Sequence, residues 1–349
     1  MEQPEGDISL VRSSVDALGL HSGTALSREV GRGRQLRIRR GVYASSRAWS
    51  AALPSRRYHA SMAAAALAGG SGVFCRESAL ILHGLPLLAV PSEVHLRTLH
   101  RSQVGLHGEP GRLIYPTRLH EPPLPRGVTR AELRAALAAD RVSTDVLSEL
   151  VTPACLGGLT SDSAELTVSV EPLALALLDT LPRMPFDHAV VVLDAALART
   201  ARTELPLEKS LSEWEHFLRI KRFRAAWDRA FDFADPRSES VGESLSRVRI
   251  AELGFTVPEL QGRVWVEGRE YRMDFEWEGG VVGEFDGKHK YLRSEELFGT
   301  SAEEAVYQEK LREDAIRSTG RRVVRWSWED LHRAGVLRDR LTRAGVPRV

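Results

Sequence analysis

The sequence predicts an α/β chain in three blocks: an amino-terminal winged helix-turn-helix, a helix-rich α+β middle block, and a carboxyl-terminal mixed sheet flanked by helices. Three observations carry this. Beyond residue 240 the apolar spacing runs helix, strand, strand, strand, helix, strand, helix, the order of a sheet covered by helices. YRMDFEWEGGVVGEF, from Tyr271, reads as two strands around a Gly279-Gly280 turn. RQLRIRRGVYA, from Arg34, reads as an arginine-rich hairpin behind a helical segment. A chain of 349 residues has room for two or three domains, and the expected boundaries are 7–50, 56–205 and 206–349.

In the first block, ISLVRSSVDALGL spaces Ile8, Val11, Val15 and Leu18 for one helical face. HSG is a turn, and TALSREVGRG is a second helix ended by glycine. The second helix carries Thr24, Ser27 and Arg28, which suit the major groove of DNA. Arg37, Arg39 and Arg40 suit a wing that lies along the phosphates and displaces counterions. Arg28 to Arg57 holds nine arginines against the single acid Glu29, so the net charge of +1 hides a locally basic module. The bland alternative is a solvated arginine-rich hairpin.

The middle block opens with the helical RRYHASMAAAALAG, then SALILHGLPLL and the strand-like SEVHLRTL. Further helices are expected through ELRAALAAD, EPLALALLDTL and HAVVVLDAALA. His59, His83, His95, His100, His107 and His120 lack ligand spacing on any one face, which speaks against a metal. Asp179 and Asp194 lie on apolar helices, where they cap or pair. The two cysteines, Cys75 and Cys155, have no CxxC partner, which excludes a disulfide scaffold and a zinc ribbon. The start, MEQPEGDISL, has no apolar core of a signal peptide, and the longest apolar runs are too short for a bilayer. A cytoplasmic location and no membrane partner are the expectation.

The third block leads in through the helix-rich SLSEWEHFLRIKRFRAAWDRAFDFAD and then SVGESLSRVRIAELGF, an amphipathic helix. Its Glu243 falls in the first turn, with Ser240 or Ser244 as cap. SAEEAVYQEKLREDAIRSTG is a long charged helix ended by Gly320, RRVVRWSW a strand, and the tail a helix. The acids Asp274, Glu284 and Asp286 sit inside strands, where acids are depleted. A two-glycine turn pairs residue 275 with 284 and 273 with 286, which sets Asp274 diagonal to Glu284. Carboxylates packed together repel unless a proton or a metal intervenes, and oxygen ligands suit Mg²⁺ or Mn²⁺. Such an ion activates water against a phosphodiester, and a nearby lysine stabilises the developing charge. The alternative is a solvent-facing acidic hairpin.

The pattern D-x9-E-x-D-G-x-H, preceded by a helix with Glu243, Ser244 and Arg247, resembles the PD-(D/E)xK nuclease superfamily. The similar branch is that of very-short-patch-repair endonucleases, and with EKLRED and VVRWSW the resemblance covers about residues 238–332. It implies a restriction-endonuclease-like fold acting on double-stranded DNA, with Asp274 and Glu284 as metal carboxylates and Glu243 as the helical acid. Two departures stand out. Met273 precedes Asp274 where the pattern has proline, and the lysine has no fixed place. With Glu284 as the acid of E-x-K, Asp286 stands in the lysine position and the lysine is missing; with Asp286 as the acid, D-G-K supplies Lys288; Lys310 on the next helix is a substitute. The first two blocks resemble antitoxin-type regulators of actinobacterial abortive-infection toxin–antitoxin systems, through ALSREVGRGRQLRIRRGVYA, SALILHGLPL, EPLALALLDTLPR and VVVLDAAL. That resemblance implies a winged-helix DNA binder and does not imply antitoxin activity; a partner toxin or a homodimer is a separate expectation. Three functions follow as expectations: a metal-dependent DNA endonuclease, a catalytically degenerate DNA-binding regulator, and an antitoxin-like protein.

Overall fold

The computed structural model describes residues 8–13, 22–69, 72–108, 114–122, 129, 131–132, 140–143, 166–201, 207–287 and 302–349. The chain is a mixed α/β protein with three sheets in two compact units. The first unit spans Met1–Arg183 with Glu208–Arg224, and the second Met184–Leu207 with Ala225–Val349. The first two expected blocks thus share one unit, apart from the segment from Met184 onward.

The first unit begins with strand β1 (Leu10–Arg12), where the sequence predicted a helix. Leu10 pairs with Ala44 and both are fully buried, as is Ile8. The alternation of Ile8 and Leu10 prevailed over the three-residue spacing because the hairpin behind it offers an edge to pair with. Helix α1 (Ser22–Gly31) follows, then β2 (Gln35–Arg39) and β3 (Val42–Ser45), and the sheet order is β1-β3-β2. Gly41 turns the hairpin at a φ of +73°, and the register shifts between Arg37 and Arg39.

A six-stranded sheet, order β6-β7-β5-β4-β9-β8, fills the rest of this unit. Its strands are β4 (Val73–Phe74), β5 (Val94–Arg97), β6 (Gly105–His107), β7 (Thr117–His120), β8 (Asp140–Ser143) and β9 (Thr167–Val170). Helices α2 (Ser46–Ala51), α3 (Pro54–Leu67), α4 (Arg76–Leu82) and α5 (Leu173–Thr180) accompany it. Most of the helix expected at ELRAALAAD lies outside the described residues, as does Cys155; its last residue, Asp140, opens a strand.

The second unit takes α6 (Phe186–Thr200), because Asp194 on that helix meets Arg247 at 3.1 Å and Asp187 meets Arg249 at 2.7 Å. Both arginines sit on α9 (Val241–Glu252); before it come α7 (Leu207–Trp214) and α8 (Lys221–Phe233), of which Glu208–Arg224 belongs to the first unit. Strands β10 (Glu259–Val266), β11 (Arg269–Trp277), β12 (Val281–Asp286) and β13 (Arg322–Ser327) form a sheet in that order. The first pairs are antiparallel, and β12–β13 is parallel across α10 (Ala302–Ser318). Two short helices, α11 (Trp328–Leu331) and α12 (Ala334–Ala344), end the chain. Phe275 packs against Trp326, with ring centres 5.1 Å apart, and the Trp326 indole donates to Ser246 on α9 at 2.8 Å. Gly242 lets α9 lie on β12: a Cβ there would stand 1.9 Å from the Phe285 ring. That contact fixes the depth at which the next residue, Glu243, enters the sheet. Among the described residues no helix is long and apolar enough to cross a membrane.

Candidate functional site

Glu243 is held before it can act. Ser240 caps α9 by accepting from the Glu243 N–H at 3.1 Å, and its hydroxyl donates to Glu243 Oε1 at 2.7 Å. The other oxygen accepts from the Glu239 N–H and from Gln261 Nε2, each at 3.0 Å. Burial raises the Glu243 pKa above the ordinary carboxylate value, these hydrogen bonds oppose it, and the Asp274 charge adds to it.

Asp274 lies on β11, and its side chain reaches across to β12. The connection from Trp277 to Val281 takes in Glu278 as well as Gly279 and Gly280, whose φ values are +83° and +74°. Phe275 therefore pairs with Gly283, one residue away from the predicted Glu284. One step further along the same register, Asp274 stands level with Glu284 where the prediction made them diagonal. Asp274 Oδ2 accepts from the Phe285 N–H at 2.8 Å, so its side chain bridges to β12 beside Glu284.

Glu284 is buried, and its pKa is pushed up to about 7, first by burial and then by the Asp274 charge, against Arg312 and Arg325. Arg312 on α10 donates to Glu284 Oε1 at 2.8 Å and to the Arg272 carbonyl at 2.6 Å. Asp286 is half-buried and stands 3.8 Å from Arg325, which also meets Glu313 at 3.4 Å. Lys288 lies outside the described residues, and Lys310 is exposed. The common thread is Asp274, whose charge is felt by Glu243 on one side and Glu284 on the other.

Two residues of this constellation were not foreseen. Arg312 reads in the sequence as part of a charged helix surface, and only the fold carries it to Glu284. Gln261 adopts a φ of +58° inside β10 and so aims its amide at Glu243. The neighbouring Gly262 signals a strand irregularity, but nothing local points to the acid it serves.

The donor set suits a hard divalent ion in kind, since it offers three carboxylates from α9, β11 and β12. In the arrangement seen, Arg312 supplies the positive charge at Glu284, and among the described residues no three His, Cys, Asp or Glu side chains are grouped to hold a metal.

In the first unit, Thr24, Ser27 and Arg28 are exposed on one face of α1, a helix without buried residues, and Arg37 and Arg40 are exposed on the hairpin. Arg39 differs from the solvent-facing wing residue expected. It turns inward, donating to the carbonyls of Ile38 and Tyr115 and to the Thr117 hydroxyl. The register shift beside it explains the turn, since a bulge re-aims the following side chain. The histidines form no metal group among the described residues, but His95 and His120 meet at 2.9 Å, with Glu77 3.2 Å from His95. Burial, with the charge of Arg76, pushes the His120 pKa down to about 3, and burial lowers that of His95 as well. Asp179 and Asp194 pair with arginines, as expected of them. No protein-family model matches the chain, and no curated protein matches it in sequence.

Proposed function

We propose that the second unit is a metal-dependent DNA endonuclease, with the first-unit helix and hairpin as its winged-helix DNA-binding module. The observation that carries this reading is the buried acid cluster itself: Asp274 reaches across to the Phe285 N–H beside Glu284, and burial first, with the Asp274 charge added, raises both Glu243 and Glu284. Carboxylates whose pKa values are shifted by burial and by one another are a mark of functional sites. The element order of α9, β10 to β12, α10 and β13 supports the restriction-endonuclease-like fold. Asp274 and Glu284 would hold Mg²⁺ or Mn²⁺, with Glu243 as the helical arm; such an ion supplies the charge that polarises a phosphodiester and activates water. Ser240 and Gln261 orient Glu243, and the Phe285 N–H orients Asp274. The sheet order β1-β3-β2 and the exposed Thr24, Ser27, Arg28, Arg37 and Arg40 support the DNA-binding module.

A second reading has its own observation. Arg312 neutralises Glu284 directly, the arrangement expected if the fold survives as a DNA-binding regulator without catalysis. One experiment separates the two. Purified protein with Mg²⁺ or Mn²⁺ should nick supercoiled plasmid, and Asp274→Ala should slow nicking by at least about 100-fold. Retarded migration of duplex DNA with no cutting in either metal would favour the regulator.

A further inference from the structure

The first unit contains a cavity of about 450 Å³, lined by Ile38, Arg39, His107, Ile114, Tyr115 and Thr117 among others. That volume suits a small organic ligand. Its walls are apolar at Ile38 and Ile114, and one guanidinium, that of Arg39, stands at its side.

The bonding of Arg39 is unlike that of the buried arginines elsewhere in the chain. Arg97 faces Glu171 and Asp179, each at 2.8 Å, and Arg247 faces Asp194. Arg39 has only neutral acceptors: the Ile38 carbonyl at 2.8 Å, the Tyr115 carbonyl at 2.7 Å and the Thr117 hydroxyl at 2.9 Å. Among the described residues no carboxylate pairs with it, and burial lowers its pKa to about 10 without an acid in opposition. A guanidinium carries more N–H donors than these acceptors use, and a part-buried charge without a counter-charge is unfavourable. An anion in the cavity satisfies both needs, with the fixed fork of donors that suits oxyanions.

We propose that this cavity binds a small molecule bearing an oxyanion, a phosphate monoester or a carboxylate, with Arg39 as anchor and Ile38 and Ile114 against its apolar body. The site is lined by residues of the first unit and does not depend on nuclease activity. Calorimetric titration of the full chain at constant ionic strength tests it, with inorganic phosphate and benzoate as probes. Saturable binding with a Kd below about 10 mM is expected for at least one probe. Arg39→Gln and the cavity-filling Ile114→Trp should each weaken it by about 10-fold or more, while Arg338→Gln, a change at an exposed arginine, leaves it intact. The probe that binds identifies the anion class. No saturable heat with either probe, or heat that both cavity variants leave unchanged, overturns the proposal. Should Arg39→Gln fail to fold, Ile114→Trp decides, because Ile114 is only half-buried.

Discussion

Each unit holds a cluster of buried acids, and the two clusters are treated in opposite ways. In the first, Glu171 and Asp179 share Arg97, with Arg76 donating to Asp179 at 3.0 Å and its N–H to Glu171 at 2.9 Å. Arg183 joins Asp179 at 3.0 Å, and although burial pushes the Asp179 pKa up, these arginines bring it below the ordinary value. In the second unit Arg312, at Glu284, is the one guanidinium among the described residues that pairs directly with Glu243, Asp274 or Glu284. The first arrangement is charge-matched and holds strands and helices together. The second keeps surplus negative charge in place, which favours whatever cation or proton enters.

The largest effect expected from this contrast is at Arg97. Arg97→Ala leaves Glu171 and most of Asp179 buried without their partner, and should lower the stability of the first unit by about 3–5 kcal/mol in urea unfolding. A loss below about 1 kcal/mol would mean that the match is not structural. Glu284 gives the next effect, and its sign is opposite to that of Asp179, whose pKa is lowered. The folded pKa of Glu284, about 7, lies above the ordinary 4.5, so the folded form holds a proton in that window that the unfolded form has lost. Stability from this group is present below the unfolded pKa and falls as pH rises through about 7. Unfolding curves should show a loss of up to about 3 kcal/mol across the window, and Glu284→Gln should flatten it.

Divalent ions come third. At Mg²⁺ or Mn²⁺ near 100 times the Kd, the melting of the wild-type second unit should rise by the equivalent of about 2.7 kcal/mol, and Asp274→Asn should remove the rise. Asp274→Asn without metal should itself be neutral or slightly stabilising, by up to about 1 kcal/mol, because it relieves Glu243 and Glu284. A destabilised Asp274→Asn would instead place Asp274 with the structural acids, through its bond to the Phe285 N–H. The smallest effect is at Lys310. This side chain is exposed, so Lys310→Ala should change stability by less than about 0.5 kcal/mol. Nicking at the wild-type rate in that variant would dismiss Lys310 as the missing lysine.

The amino-acid order by itself determined which segments are helices and strands beyond residue 240, the paired strands around Gly279-Gly280, and the placing of Asp274 and Glu284 on neighbouring strands. These are local properties, carried by apolar periodicity and turn residues within a few positions. Tertiary structure alone decided the rest. It made Leu10–Arg12 a strand by offering β3 as a partner, shifted the β11–β12 register by one residue, and turned Arg39 away from solvent. It also brought Arg312 to Glu284 and Gln261 to Glu243 across 28 and 18 residues of chain. Such partners depend on strand register and on where a helix crosses the sheet, and periodicity along the chain contains neither.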